Sequence, residues 1–227
     1  MELLQNRERE IFKAIGKLDT KKLVIIGGYA VNAYTLPRFS IDCDIVVSHQ
    51  ADAHKIVQDL ERMNYTQSTA TEHFSYHGKF IRLEKELAPL FKVSMDIMFE
   101  EVSDRQTGAK FSASWIFENA QEQLLQGKTM TQKRKVLILS ADALIVMKSI
   151  SSRVTDIRDV FMLLPRARNV PWIQQEIEKR CDTQERLQRL KAKVMSSSFK
   201  DNLQGVYGYL DEITFAKHQM KVKEFCK

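Results

Sequence analysis

The sequence predicts an α+β protein, with a mixed β-sheet and flanking helices over residues 1–139 and a helical second half over 140–227. Three observations carry this. β-type runs recur from residue 23 to residue 139 and none follows. From Ser140 onward the apolar residues fall at helical spacings. The apolar run at 23–26 stops at Gly27-Gly28, and a second run at 41–47 carries Asp42 and Asp44 two residues apart.

Taken in order, the charged N-terminal stretch reads as a helix with Leu3, Leu4, Ile11, Phe12 and Ile15 on one side, and not as a secretion signal. Residues 23–26 (LVII) form a strand, 29–36 have helical character ending before Pro37, and 41–47 form the next strand. Strand alternation puts Asp42 and Asp44 on one side, their Cα atoms roughly 6.5 Å apart, and turns Cys43 to the other for packing. Residues 50–63 form a helix with Ile56, Val57 and Leu60 inward. Strands follow at 65–69, 74–76 and 80–83, with Gly78 as punctuation. Pro89 interrupts, and 91–99 (FKVSMDIMF) form a strand with Phe91, Val93, Met95 and Ile97 on one side and Ser94, Asp96 and Met98 on the other. Asp96 is an acid within an otherwise apolar strand. A helix is expected at 112–125 and a polar strand ending at 135–139.

In the second half Ser140 caps a helix carrying Leu144, Ile145 and Met147. Thr155 is expected to cap 156–164, before Pro165, and Pro171 suits the first turn of a further helix. Helices at 184–195 and 208–223 complete the set, with Ser196-Ser197-Ser198 as a loop.

At 227 residues, 44% hydrophobic and 28% charged, the chain suits one large or two small soluble globular domains. No apolar run approaches the ~20 residues that span a bilayer, so a membrane role is not expected. Cys43, Cys181 and Cys226 lack metal-ligand spacing and fit a reduced, cytoplasmic setting. His73 and His77 lack a third ligand, so zinc is not expected. Lys133-Arg134-Lys135 reads as a solvated edge. The net charge is +6, and residues 166–227 hold 13 basic and 8 acidic side chains. The basic residues form stripes: Arg166/Arg168, Lys179/Arg180, Arg186/Arg189/Lys191/Lys193 and Lys217/Lys221/Lys223, a pattern able to follow a phosphate backbone.

The chemistry centres on residues 23–47. A Gly pair lets a backbone turn approach a phosphate closely. Asp42 and Asp44 sit near one end of a strand flanked by Ile41 and Ile45-Val46-Val47, and buried carboxylates are rare unless paired or metal-bound. Two carboxylates so placed suit Mg²⁺ or Mn²⁺. Cradle plus acidic pair is the equipment of metal-assisted phosphoryl or nucleotidyl transfer.

The order Gly27-Gly28, thirteen residues, then Asp42-Cys43-Asp44 resembles the signature of the nucleotidyltransferase superfamily that includes DNA polymerase β. The fuller string, GGYAVNAY from Gly27 followed by Arg38-Phe39-Ser40-Ile41-Asp42-Cys43-Asp44, is similar to the AbiEii/MenA-type toxin-like nucleotidyltransferases. Lys148, Arg153, Asp156 and Asp159 extend the likeness, with Thr155 where that family commonly has Lys. The resemblance covers about residues 23–164. It implies a polymerase-β-like core and in-line attack of an acceptor hydroxyl on the α-phosphate of a nucleoside triphosphate. It further implies Asp42, Asp44 and Asp96 as metal ligands. Gly27, Gly28, Arg38, Ser40, Lys148 and Arg153 would contact the nucleotide. Asp156 would orient Lys148 or Arg153 or assist proton removal. The implied partners are a cognate antitoxin and, in some members, tRNA as acceptor. Two other functions stay open. One is a nucleotidyltransferase with a small acceptor, as in the aminoglycoside-modifying enzymes, which would favour an acidic cleft. The other is a binding module on a degenerate catalytic fold, favoured by Thr155 and disfavoured by the intact acidic and Gly motifs.

Overall fold

The computed structural model describes residues 1–68 and 79–227. The strand expected at 74–76, Gly78 and the His73/His77 pair lie outside the described residues. The chain forms two compact units. The first comprises Met1–Ala33, Phe39–Ser103 and Phe111–Leu139; the second comprises Tyr34–Arg38, Asp104–Lys110 and Ser140–Lys227.

The first unit contains helices α1 (Glu2–Ile15), α2 (Gly27–Asn32), α3 (Gln50–Glu61) and α4 (Ala113–Glu118). Its strands are β1 (Leu23–Ile26), β2 (Asp42–Val47), β3 (Thr66–Gln67), β4 (Phe80–Ala88), β5 (Phe91–Phe99), β8 (Ala120–Leu125) and β9 (Arg134–Leu139). These strands make one seven-stranded sheet in the order β3-β4-β5-β2-β1-β9-β8. A small second sheet pairs β6 (Glu101–Ser103) with β7 (Lys110–Ser112). In the large sheet β2/β5 and β1/β9 are parallel, while β1/β2, β3/β4, β4/β5 and β8/β9 are antiparallel. β1 is apolar at every position and buried throughout, which suits a strand with neighbours on both edges. Cys43, Ile45, Val93, Met95 and Ile97 lie on one sheet face and are fully buried. The opposite face receives Asp42, Asp44 and Asp96, as alternation along the strands requires. Helix α1 turns Ile11, Phe12 and Ile15 inward and packs on β4 and β5, while α3 packs on β2 and β5. Glu8 on α1 is fully buried and accepts hydrogen bonds from the backbone N–H of Lys128 (2.6 Å) and Thr129 (2.8 Å) and from the Thr129 hydroxyl (2.7 Å). That carboxylate ties α1 to the β8–β9 connection.

The second unit contains α5 (Ala141–Ser151), α6 (Val154–Leu163), a 3₁₀ turn at Leu164–Arg166, α7 (Val170–Glu178), α8 (Thr183–Val194), α9 (Phe199–Tyr207) and α10 (Glu212–Phe225). Its core includes Leu144, Ile150, Ile157, Ile173, Val194 and Leu203, with Phe161 stacked edge-on against Phe199 and tilted against Phe215. Among the described residues no helix is long and apolar enough to cross a membrane.

The elements depart from the sequence expectations at several places. Residues 120–125 are strand rather than helix: α4 ends at Glu118, and β8 then pairs residue for residue with β9. The helical propensity of its Ala, Glu, Gln and Leu residues yields to the ladder that closes this sheet edge. Helix α9 fills residues 199–207, between the expected loop at 196–198 and the helix expected from Gly208, burying Phe199, Leu203 and Tyr207 at four-residue spacing, and Gly208 (φ +90°) ends it. Helix α2 begins at Gly27 itself. The cap of α6 is Arg153, not Thr155, because the Asp156 carboxylate turns back to accept from the Arg153 N–H at 3.2 Å.

Candidate active site

Strand register assembles the acidic face of the first unit. Ile26 of β1 stands opposite Asp44 of β2, Asp44 opposite Asp96 of β5, and Asp96 opposite Arg82 of β4, a single row across four strands. Asp42 lies two residues before Asp44 on the same face. Gly27, at the end of β1, has φ +66°, in the left-handed region that glycine tolerates. A Cβ built there would lie 1.8 Å from Asp44 Oδ2, so the turn approaches the carboxylate closer than any side chain allows. Gly28 follows, buried on α2. Ser40 belongs to the same unit, in the segment leading into β2.

Arg82 is a residue that sequence reasoning missed. Its Nε donates to Asp96 Oδ1 at 2.7 Å and its Nη2 to Asp96 Oδ2 at 2.5 Å, a bidentate fork, while Nη2 also lies 3.8 Å from Asp42 Oδ2. The Asp96 side chain is 6% exposed, Arg82 30% and Asp42 36%. The hydrogen bond to Asp96 and the adjacent carboxylates hold the guanidinium charge more firmly than usual, against the opposing effect of burial. On the other face, burial first and then the charges of Asp44, Asp42 and Asp96 push the Cys43 thiol well up, so it is a neutral packing group.

These donors fit a hard divalent cation. They are carboxylate oxygens only, and a cationic guanidinium already spans Asp96 and Asp42. Among the described residues, however, no three His, Cys, Asp or Glu groups converge to hold one ion. Asp42 and Asp44 lie on one face of β2, and both oxygens of Asp96 are engaged by Arg82.

The other residues singled out in the sequence meet in the second unit. Arg38 forks onto Asp159, with Nε to Oδ1 at 2.9 Å and Nη2 to Oδ2 at 2.8 Å. Lys148 Nζ donates to Asp156 Oδ1 at 2.7 Å and lies 3.2 Å from Asp159 Oδ2. The hydroxyls of Ser151 and Tyr207 donate to Asp156 and Asp159, each at 2.6 Å. Arg153 lies 3.7 Å from Asp156 and 3.5 Å from Asp104. Burial alone would raise the Asp159 carboxyl, yet Lys148, Arg38 and the hydrogen bonds outweigh it and leave the group below the usual carboxylate range. Burial would likewise lower Lys148, and Asp159 and Asp156 more than reverse it, so the ammonium stays charged. Tyr207 completes a network whose Arg38, Lys148, Arg153, Asp156 and Asp159 were all singled out in the sequence.

No family model and no curated protein matches this sequence. Among solved structures the chain is similar to JHP933 of Helicobacter pylori, with a TM-score of 0.55 at 14% identity over 100% of this chain and 93% of that one. It is also similar to MenT4, a nucleotidyltransferase toxin of Mycobacterium tuberculosis H37Rv, with a TM-score of 0.53 at 13% identity over 92% of this chain and 76% of that one. The fold is therefore the α+β nucleotidyltransferase fold that the sequence resemblance implied.

Proposed function

We propose that this protein is a nucleotidyltransferase that moves a nucleoside monophosphate from a nucleoside triphosphate to an acceptor hydroxyl. The observation that supports this best is the Gly27 turn seated against Asp44, with Asp42 beside it and Asp96 in register across the sheet. A phosphate-binding turn and an acidic pair are useful together because the turn can hold the anion while the acids hold its counter-cation. Asp42 and Asp44 would hold Mg²⁺ or Mn²⁺, with Asp96 as the third acid of the row. Bound there, the ion supplies charge neutralisation for the triphosphate and acidifies the acceptor hydroxyl. The backbone at Gly27 and Gly28 positions phosphate oxygens, and Ser40 stands just before the acidic strand. In the reaction the acceptor oxygen bonds to the α-phosphorus, the bond from that phosphorus to the bridging oxygen of the β-phosphate breaks, and pyrophosphate leaves. The hydroxyl proton passes to a carboxylate or to water. A direct phosphate contact by Lys148 would require its ammonium to give up one of two carboxylates.

For the acceptor we favour the 3′ end of an RNA, with tRNA the first to test. Arg166, Arg168, Lys179, Arg189, Lys191, Lys217, Lys221 and Lys223 are all solvent-exposed, as phosphate contacts must be. The likeness to MenT4, a toxin, makes a cognate antitoxin the protein partner to seek. The test is incubation with each α-labelled nucleoside triphosphate, Mg²⁺ or Mn²⁺, and total RNA, in parallel with a panel of small hydroxylated compounds. Label in the tRNA band is expected. Label in a small compound and none in RNA would replace the RNA acceptor with a small one. No transfer under any condition would favour a degenerate binding module.

A further inference from the structure

We propose that Arg82 is a positioning residue that withholds Asp96 from the cation site, so that the ion is bound by Asp42 and Asp44 while the guanidinium remains in place. This rests on the nucleotidyltransferase reading of the acidic face.

Three carboxylates share that face, and Asp44 and Asp96 are direct neighbours across parallel strands. Such a row should draw three acids toward one cation. Instead no three groups converge among the described residues. The reason lies in how Asp96 is used: Arg82 Nε and Nη2 each take one of its oxygens. A fork of this kind engages both carboxylate oxygens at once and fixes the plane of the group. The same Nη2 is 3.8 Å from Asp42 Oδ2, so the fixed positive charge lies toward the cation site and works against a second ion. The two partners are unequally buried. Asp96 is nearly buried within the central part of β5, whereas Arg82 is 30% exposed and its guanidinium carbon lies 5.9 Å from the Phe80 ring centroid. Arg82 is thus the partner that can move, and its departure would deliver Asp96 as a third ligand.

The experiment is a double-mutant cycle on Mn²⁺ affinity, measured on the full chain without nucleotide by the EPR signal of free Mn²⁺. In the wild type, Asp96→Asn should change affinity by less than about threefold. Arg82→Gln should tighten it about tenfold or more, the scale on which residues that orient ligands act. Asp96→Asn placed in the Arg82→Gln background should cancel that gain. Arg82→Lys, which keeps the charge but cannot fork, should lie between and serves if the Gln variant folds poorly. Additive effects, no tightening in either Arg82 variant, or no Mn²⁺ binding at all would overturn the proposal. Asp42→Asn and Asp44→Asn separate the two levels. If Mn²⁺ binding survives both, the acidic face is not the metal site and the nucleotidyltransferase reading of it fails. If they abolish binding while the cycle stays additive, only the role of Arg82 fails.

Discussion

Replacing Asp159 by Asn keeps the side-chain volume and removes one charge from the buried network of the second unit. The Asp159 side chain is 0% exposed and receives the Arg38 fork, the Tyr207 hydroxyl and the Lys148 ammonium. An amide offers one acceptor oxygen and points its NH₂ at donors, so one arm of the Arg38 fork loses its partner and Lys148 loses one of its two carboxylates. Breaking a buried ion pair from one side costs about 3–5 kcal/mol, most of it the penalty for the charge left behind. Urea unfolding followed by fluorescence in a Trp115→Phe background reports on this unit through Trp172 on α7. Lys148→Met added to Asp159→Asn should recover part of the loss, because the surplus cation is then gone. The pH dependence has a definite sign. Asp159 titrates below its unfolded value, so its stabilisation is present above about pH 4 and is lost as pH falls through the folded value. The gap between wild type and Asp159→Asn should therefore close in acid. A loss below about 1 kcal/mol at neutral pH, or a gap that does not narrow, would refute the network as a stabilising element.

Gly27→Ala should cost about 1–3 kcal/mol, since alanine is strained at φ +66° and its Cβ meets Asp44, and transfer activity should fall further than thermal stability does. Asp42→Asn and Asp44→Asn should each reduce metal-dependent nucleotidyl transfer to background while leaving metal-free melting unchanged or raised, as removal of carboxylate repulsion predicts; full activity in either would remove that residue from the site. Binding of tRNA should weaken steeply between low and physiological salt through counterion release, and a flat salt titration would argue against the basic surface as the contact.

The acidic pair was legible because it is local: the apolar run, the Gly pair and the alternating aspartates all fall within 25 residues, and alternation alone puts Asp42 and Asp44 on one face. Arg82 was not seen, although a signal existed. Residues 82 and 96 lie at equal distance on either side of Pro89, and residues equidistant from a hairpin's centre face one another. Reading Pro89 as the centre of a hairpin, rather than as an interruption, pairs the lone arginine of one strand with the lone aspartate of the next. The Asp159–Tyr207 contact spans 48 residues and joins two helices whose packing no local pattern fixes. β8 failed for a related reason, since its composition favours helix and only its ladder with β9 makes it strand.

Charge balance separates the two clusters physically. In the second unit Arg38, Lys148 and Arg153 face Asp156, Asp159 and Asp104, so the cations and acids match in number and the inner members are almost wholly buried. Such a set satisfies itself. It tolerates low dielectric because every charge has a partner, and an incoming phosphate would have to displace a carboxylate already hydrogen-bonded at 2.7 Å. On the sheet face of the first unit Arg82 forks onto Asp96 and lies 3.8 Å from Asp42, which remains 36% exposed. The mutual repulsion of the carboxylates on this face is a standing cost that a divalent cation would relieve, and the neutral Cys43 thiol behind them offers no compensation. Neighbouring carboxylates held on strands beside a glycine turn have an energetic reason to bind a cation, whereas a matched and buried set has a reason to stay closed. On that ground the acidic row is the place to look for chemistry, and the lysine network is the place to look for stability.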